Sequence, residues 1–183
     1  KNYVVPQSVE YGSTSYDITS ILPLAFAKTS FEHIAITQTV KTIRQGALAH
    51  TDNLTSLEIP FVGGGENAED GVAFASSLKY IFVTRDGEAI VPQKLTQVEV
   101  KSEILTTIGD YAFEGFENLN SVSFSSGVTV IGQYAFAGCS SLTEVGTKGE
   151  FNISSITEIG SYAFAGCVSI PKSLDLSKVM VFG

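Results

Sequence analysis

The sequence predicts a repeat solenoid: a right-handed coil with short parallel β-strands on its concave face and turns or short helical segments opposite. Three observations carry this reading. An aliphatic pair at spacing three recurs as Ile18/Ile21, Val40/Ile43, Leu105/Ile108, Val128/Ile131, Ile156/Ile159 and Val179/Phe182. Four residues beyond the first five pairs come Ala25-Phe26, Ala47-Leu48, Ala112-Phe113, Ala135-Phe136 and Ala163-Phe164. Short alternating runs then follow: Ile34-Ala35-Ile36, Leu57-Glu58-Ile59 and Val122-Ser123-Phe124, with Val98-Glu99-Val100 and Leu174-Asp175-Leu176 as looser cases. Period-two alternation over so few residues means a strand with one buried face. A strand that short cannot stand alone, so each must pair with its counterpart one repeat further on, giving a parallel ladder. Crossovers between parallel strands are right-handed.

The elements follow in chain order within one domain, residues 1–183. Residues 1–17 contain two apolar-alternating arms around Gly12-Ser13, a hairpin signal placed where a solenoid needs a cap over its first edge. Residues 18–60 hold two repeats. Between the pairs ending at Ile43 and Ile108 lie 65 residues, where the other spacings are 22, 23, 28 and 23. Residues 61–103 are therefore a degenerate or elaborated repeat with an inserted loop. Ala73-Phe74, Leu78 and Ile81-Phe82-Val83 could be a shortened copy, but an excursion over 60–92, resuming at Leu95, is the preferred reading. Gly63-Gly64-Gly65 and Thr84-Arg85-Asp86-Gly87 read as loops. Residues 104–183 hold the most regular repeats. The last stops at Phe182-Gly183, before the next Ala-Phe step, so the array is expected to continue; a final half-repeat acting as its own cap is the alternative.

Composition narrows the function. The 183 residues are 44% hydrophobic, which excludes a wholly disordered chain. The longest apolar stretch, Ile21–Ala27, contains Pro23 and is far shorter than the ~20 residues a helix needs to cross a bilayer. Eleven basic against 19 acidic residues, net −8, argue against nucleic acid, whose binders carry basic faces. A chain with 21 Ser and 16 Thr suits a strand- and turn-rich exported protein.

The units Ile108-Gly-Asp-Tyr-Ala-Phe-Glu-Gly, Ile131-Gly-Gln-Tyr-Ala-Phe-Ala-Gly-Cys139 and Ile159-Gly-Ser-Tyr-Ala-Phe-Ala-Gly-Cys167 resemble the BspA-like (treponemal-type) leucine-rich repeats of bacterial surface proteins. The opening segment is similar to the hairpin that leads into such arrays, and the resemblance covers essentially the whole chain. Leu48 and His50-Thr51 in the second repeat, and Phe116 in place of Cys, depart from the pattern. The resemblance implies an extracellular, cell-surface or secreted location and a non-enzymatic, adhesion-type binding role toward a host or bacterial surface protein or a glycan. A structural spacer that displays another domain of a longer protein is the alternative.

No constellation points to catalysis, a cofactor or a metal. His33 and His50 are the only imidazoles, and no G-x-S-x-G elbow accompanies them. Cys139 and Cys167 share one repeat position and read as core fillers; a disulfide between them is the lesser reading. Gly63–Ala68 formally matches G-x-G-x-x-A, but Glu66, Glu69 and Asp70 would meet a pyrophosphate with like charge. The same loop, 63–71, lacks the oxygen spacing of an EF-hand, which leaves calcium there an open question. Asn53-Leu54-Thr55 and Asn152-Ile153-Ser154 match glycosylation sequons, read as coincidental in a bacterial protein. The candidate ligand contacts are the outward middle residues of the strands: Ala35, Glu58, Glu99, Ser123 and Asp175. The inserted loop 61–92 is the second candidate surface.

Overall fold

The computed structural model describes residues 1–65, 76–172 and 176–182. Its strands are β1 (Asn2–Val4), β2 (Ser8–Tyr11), β3 (Thr14–Asp17), β4 (Ser20–Ile21), β5 (His33–Ala35), β6 (Thr42–Ile43), β7 (Ser56–Ile59), β8 (Gln97–Val100), β9 (Thr107–Ile108), β10 (Ser121–Ser123), β11 (Val130–Ile131), β12 (Glu144–Gly146), β13 (Glu158–Ile159) and β14 (Val181–Phe182). Six of them form one sheet in the order β1-β5-β7-β8-β10-β12, every pairing parallel. Each alternating run expected among the described residues lies in this main sheet. Ala73-Phe74 and Leu174-Asp175 fall outside the described residues.

The coil has three walls around one apolar core. The main sheet turns Ile34, Leu57, Val98, Val122 and Val145 inward, all at 2% exposure or less. The aliphatic pairs build the second wall. There the second members, Ile21, Ile43, Ile108, Ile131 and Ile159, are buried residues of two-residue parallel strands, in the orders β4-β6 and β14-β13-β11-β9. β-Branched Ile at each step favours this extended backbone over a helix. The third wall is a column of tight turns bonded coil to coil: Tyr111, Phe113 and Gly115 donate their N–H groups to the carbonyls of Gln133, Ala135 and Ala137, and Tyr134, Phe136 and Gly138 to those of Ser161, Ala163 and Ala165. Among the described residues the one helix is the 3-10 turn Leu78–Phe82, which takes the place of these turns in the elaborated coil and accepts Gly46 N–H and Leu48 N–H on Tyr80 and Ile81. Phe113, Phe136 and Phe164 stack along the core at 5.3 and 5.2 Å.

The elaborated segment is a single enlarged coil, because Ser56 in β7 pairs directly with Gln97 in β8. Its residues Gly64 and Gly65 meet β6 in an antiparallel bridge, and the second wall is split into two ladders at this level. At the other end of the chain the 28-residue spacing has a local cause. After β12 the chain makes a small loop and comes alongside itself in parallel: Val145 N–H donates to Glu150, Asn152 N–H donates to Val145, and Phe151 forms a parallel bridge with Val145. Gly146 makes this possible, with φ +89° and no room for a Cβ, which would lie 2.0 Å from the Asn152 carbonyl.

The N-terminus adds a strand with no sequence signal of its own, β1, which becomes the edge of the main sheet. The expected hairpin is β2–β3, paired antiparallel from Ser8–Asp17 to Tyr11–Thr14 and solvent-exposed along nearly its whole length. The end of the core is closed by a cluster of rings: Tyr3 lies 5.5 Å from Phe26 and 5.0 Å from Phe31. No described helix is long and apolar enough to cross a membrane.

Candidate functional site

Parallel pairing in strict register turns a repeat position into a row. His33, Ser56, Gln97, Ser121 and Glu144 are successive partners, and so are Ala35, Glu58, Glu99, Ser123 and Gly146. Both sets flank the buried row on β5, β7, β8, β10 and β12, so both lie on its outer side; Glu58, Glu99 and Ser123 are partly exposed there, whereas Ala35 and Ser121 are covered, at 9% and 7% exposure. The structure thus brings together four of the five residues singled out from the sequence, Ala35, Glu58, Glu99 and Ser123, on four adjacent strands; Asp175 lies outside the described residues. The row beside it, from His33 to Glu144, was missed, although stepping two residues back along each strand would have found it.

Glu58 and Glu99 are direct cross-strand neighbours, an arrangement of like charges that is unfavourable by itself. Two lysines offset it. Lys101, just past the end of β8, bonds Glu58 and lies 3.8 Å from Glu99. Lys148, in the turn after β12, lies 3.9 Å from the other oxygen of Glu99. The hydrogen bond to Glu58 raises the Lys101 pKa above its ordinary value, against a smaller opposing effect of desolvation. The acidic character that the sequence alone gives this row is therefore neutralised in place. Nothing in sequence spacing could have placed Lys148 here, because it reaches back over β10 from an insertion between repeats.

His33 is not a lone surface imidazole. Its Nδ1 lies 2.8 Å from Ser56 Oγ, and its Nε2 lies 3.7 Å from Glu58. Serine, histidine and glutamate are thus adjacent, with the serine–histidine contact at hydrogen-bond distance. The histidine–carboxylate distance is beyond a hydrogen bond, and the strand amides that could form an oxyanion hole are committed to the ladder. Together with Gln97, Ser121 and Ser123 these side chains line a shallow depression of about 200 Å³, whose apolar lining residues are Leu57 and Val98.

The other candidates lie elsewhere. The described residues of the 61–92 segment do not line this depression; they run along the second and third walls, with a tight turn at 84–88 held by Thr84 N–H to Glu88. Residues 66–71 of the acidic glycine loop lie outside the described residues. His50 occupies a turn with φ +57°. Cys139 and Cys167 are free and buried, and each thiol donates to a carbonyl of the preceding coil, Phe113 and Phe136 respectively, at 3.0 Å. Burial pushes their pKa values up to about 12 and about 11, so they are inert packing groups.

The repeat pattern is matched among known proteins. A family profile described as "BspA type Leucine rich repeat region" matches residues 7–90 and 91–178, in six copies. No curated protein shows significant similarity to the chain. Among solved structures, the chain is similar to a leucine-rich repeat protein of T. pallidum, at 18% identity and a TM-score of 0.44, over 93% of this chain and 78% of that one. It is also similar to a leucine-rich cell surface protein of Faecalibacterium prausnitzii A2-165, at 17% identity and a TM-score of 0.46 over 93% of this chain, and to the pneumococcal vaccine antigen PcpA, at 14% and 0.36 over the same share. It spans 46% and 39% of the length of those two. By the profile match over nearly its whole length, the chain belongs to the family of BspA-type leucine-rich repeat proteins.

Proposed function

We propose that this chain is a non-enzymatic binding module of the bacterial surface, which recognises a protein or a glycan through the outer face of the main sheet. The observation that supports this most is the register: Glu58, Glu99 and Ser123, continued by the covered Ala35, form one row in strict register, backed by a buried row. A polar row on a rigid ladder is what repeat scaffolds use for recognition. An extracellular or cell-surface location belongs to the same reading. The test is a binding screen of the folded chain against immobilised matrix proteins and glycans, repeated with Glu58→Gln/Glu99→Gln. A partner that loses at least tenfold in affinity to that pair supports the proposal; a partner unaffected by it places recognition elsewhere.

A second reading, a spacer that only displays other parts of a longer protein, is favoured by one observation: Lys101 and Lys148 already occupy the two carboxylates. It expects a folded chain that binds neither panel.

A further inference from the structure

Resting on the reading of the main sheet as the binding face, we infer that its depression takes an uncharged carbohydrate, one sugar ring at the level of β7, β8 and β10, in preference to a protein.

The first argument is charge. The two carboxylates at the centre are matched by two ammonium groups, with Lys101 within reach of both Glu58 and Glu99 and Lys148 beside Glu99. Such a face projects little field, so it neither recruits a strongly charged partner nor repels a neutral one. The second is the lack of an anchor. Protein interfaces draw their energy from aromatic and aliphatic side chains inserted into pockets. Here the apolar residues that line the depression, Leu57 and Val98, are at 1% and 2% exposure and point into the core. Among the described residues the exposed large apolar side chains, such as Tyr11, Tyr162, Val168 and Met180, lie outside it.

The third argument is hydrogen-bonding capacity. Within one shallow cavity of about 200 Å³ stand two carboxylates, an imidazole, an amide (Gln97) and serine hydroxyls, with an ammonium at the rim. This mixture of fixed acceptors and donors matches a ring of hydroxyls, each of which both donates and accepts. Vicinal hydroxyls can donate to the two oxygens of one carboxylate as a charge-assisted pair. Adjacent strands lie ~4.8 Å apart, so Glu58 and Glu99 can straddle a single ring, with Gln97 and Ser123 alongside. Lys101 and Lys148, both more exposed than the carboxylates they hold, can turn toward a bound sugar without unfolding any backbone.

The test is titration of the uniformly ¹⁵N-labelled 183-residue chain, followed by its amide resonances. The probes are neutral hexoses and N-acetylhexosamines with their β-linked dimers, heparin fragments, and two extended peptides, one basic and one acidic. The expected result is saturable shifts from neutral saccharides confined to β7, β8 and β10, centred on Glu58, Gln97 and Glu99. Affinity should fall at least tenfold in Glu99→Gln and in Gln97→Ala, with the rest of each spectrum unchanged as evidence of folding. Peptides or heparin that shift these amides where saccharides do not would overturn the inference and leave the binding-face reading standing. Saccharide shifts confined to another wall would overturn both. No shift on this face from any probe would overturn the inference, and the screen against immobilised proteins would then decide the broader reading alone.

Discussion

The first two coils, residues 18–60, and the last three, residues 104–172, solve the same geometric problem with different residues. In the third wall each of these five coils has two positions with left-handed backbone, four residues apart. In the later coils the first is Tyr111, Tyr134 or Tyr162, with φ of 52–58°, and the second is Gly115, Gly138 or Gly166. In the earlier coils the first is Leu24 or Gly46, and the second is Lys28 or His50. Left-handed backbone costs a non-glycine residue roughly 1–2 kcal/mol, so the tyrosines need an offsetting contact. They find it in each other, stacked at 5.3 and 5.0 Å with rings within 15° of parallel. Aromatic pairs of this kind contribute about 0.5–1.5 kcal/mol beyond burial. Gly46 has no such option: a Cβ there would lie 2.5 Å from the carbonyl of Val83 in the elaborated coil. The wider third coil, not the repeat itself, dictates glycine at that point. A repeat position is thus conditioned by its neighbour along the stack.

The largest effect that bears on this contrast is in the core. Phe136 stacks on both Phe113 and Phe164 and is fully buried, so Phe136→Ala should cost about 3–5 kcal/mol, read by denaturant unfolding. Leu48, its counterpart in the second coil, makes no ring stack, and Leu48→Ala should fall at or below the lower end of that range. Next come the backbone exchanges. Gly46→Ala should lose about 2 kcal/mol or more from the forced φ and the overlap with Val83. Tyr134→Gly, which removes strain and stacking together, should change stability by less than about 1 kcal/mol. An equal loss from both would dissolve the contrast between the two regions.

A third comparison uses the position after the second left-handed site, held by Thr29 and Thr51 in the early coils and by Phe116, Cys139 and Cys167 in the late ones. The threonines bond carbonyls of their own coil, Phe26 and Leu48, whereas the thiols reach the coil before. Because both thiol pKa values are raised, the folded chain holds these protons more tightly than the unfolded one. Their contribution to stability is complete below about pH 9 and is lost as pH rises toward about 11 and 12. Maleimide labelling at neutral pH should therefore track unfolding, with Cys139 slower than Cys167. Rapid labelling of native protein would contradict their place in the core. The smallest effect is expected on the surface: Lys101→Met, at a side chain that is 47% exposed, should cost under about 1 kcal/mol and lose its influence at high salt.

Much of this architecture is legible in the sequence wherever a strand carries two inward residues. β7 and β8 announce themselves through Leu57 and Ile59 and through Val98 and Val100. β12 does not, since Val145 is its one inward residue and Gly146 follows it. The second wall is illegible for the same reason: a two-residue strand buries one side chain, which leaves no period to count, so Ile108 or Ile131 reads as half of a spaced pair. On the candidate face, the row from Ala35 to Ser123 follows from alternation alone. The lysines that neutralise it come from a strand end and from a small loop enforced by Gly146. Those contacts depend on which coils are neighbours, and the enlarged third coil hides that from any fixed-period count.

Recognition by the outer face of the main sheet, as proposed, is distinct from recognition by the stacked-tyrosine wall. One measurement separates them: affinity for the strongest binder from a printed array of neutral oligosaccharides and matrix proteins, compared between Glu58→Gln/Glu99→Gln and Tyr111→Ala/Tyr162→Ala. The expected result is at least a tenfold loss from the glutamate pair and less than a twofold change from the tyrosine pair. The reverse order, with both variants folded, would contradict it.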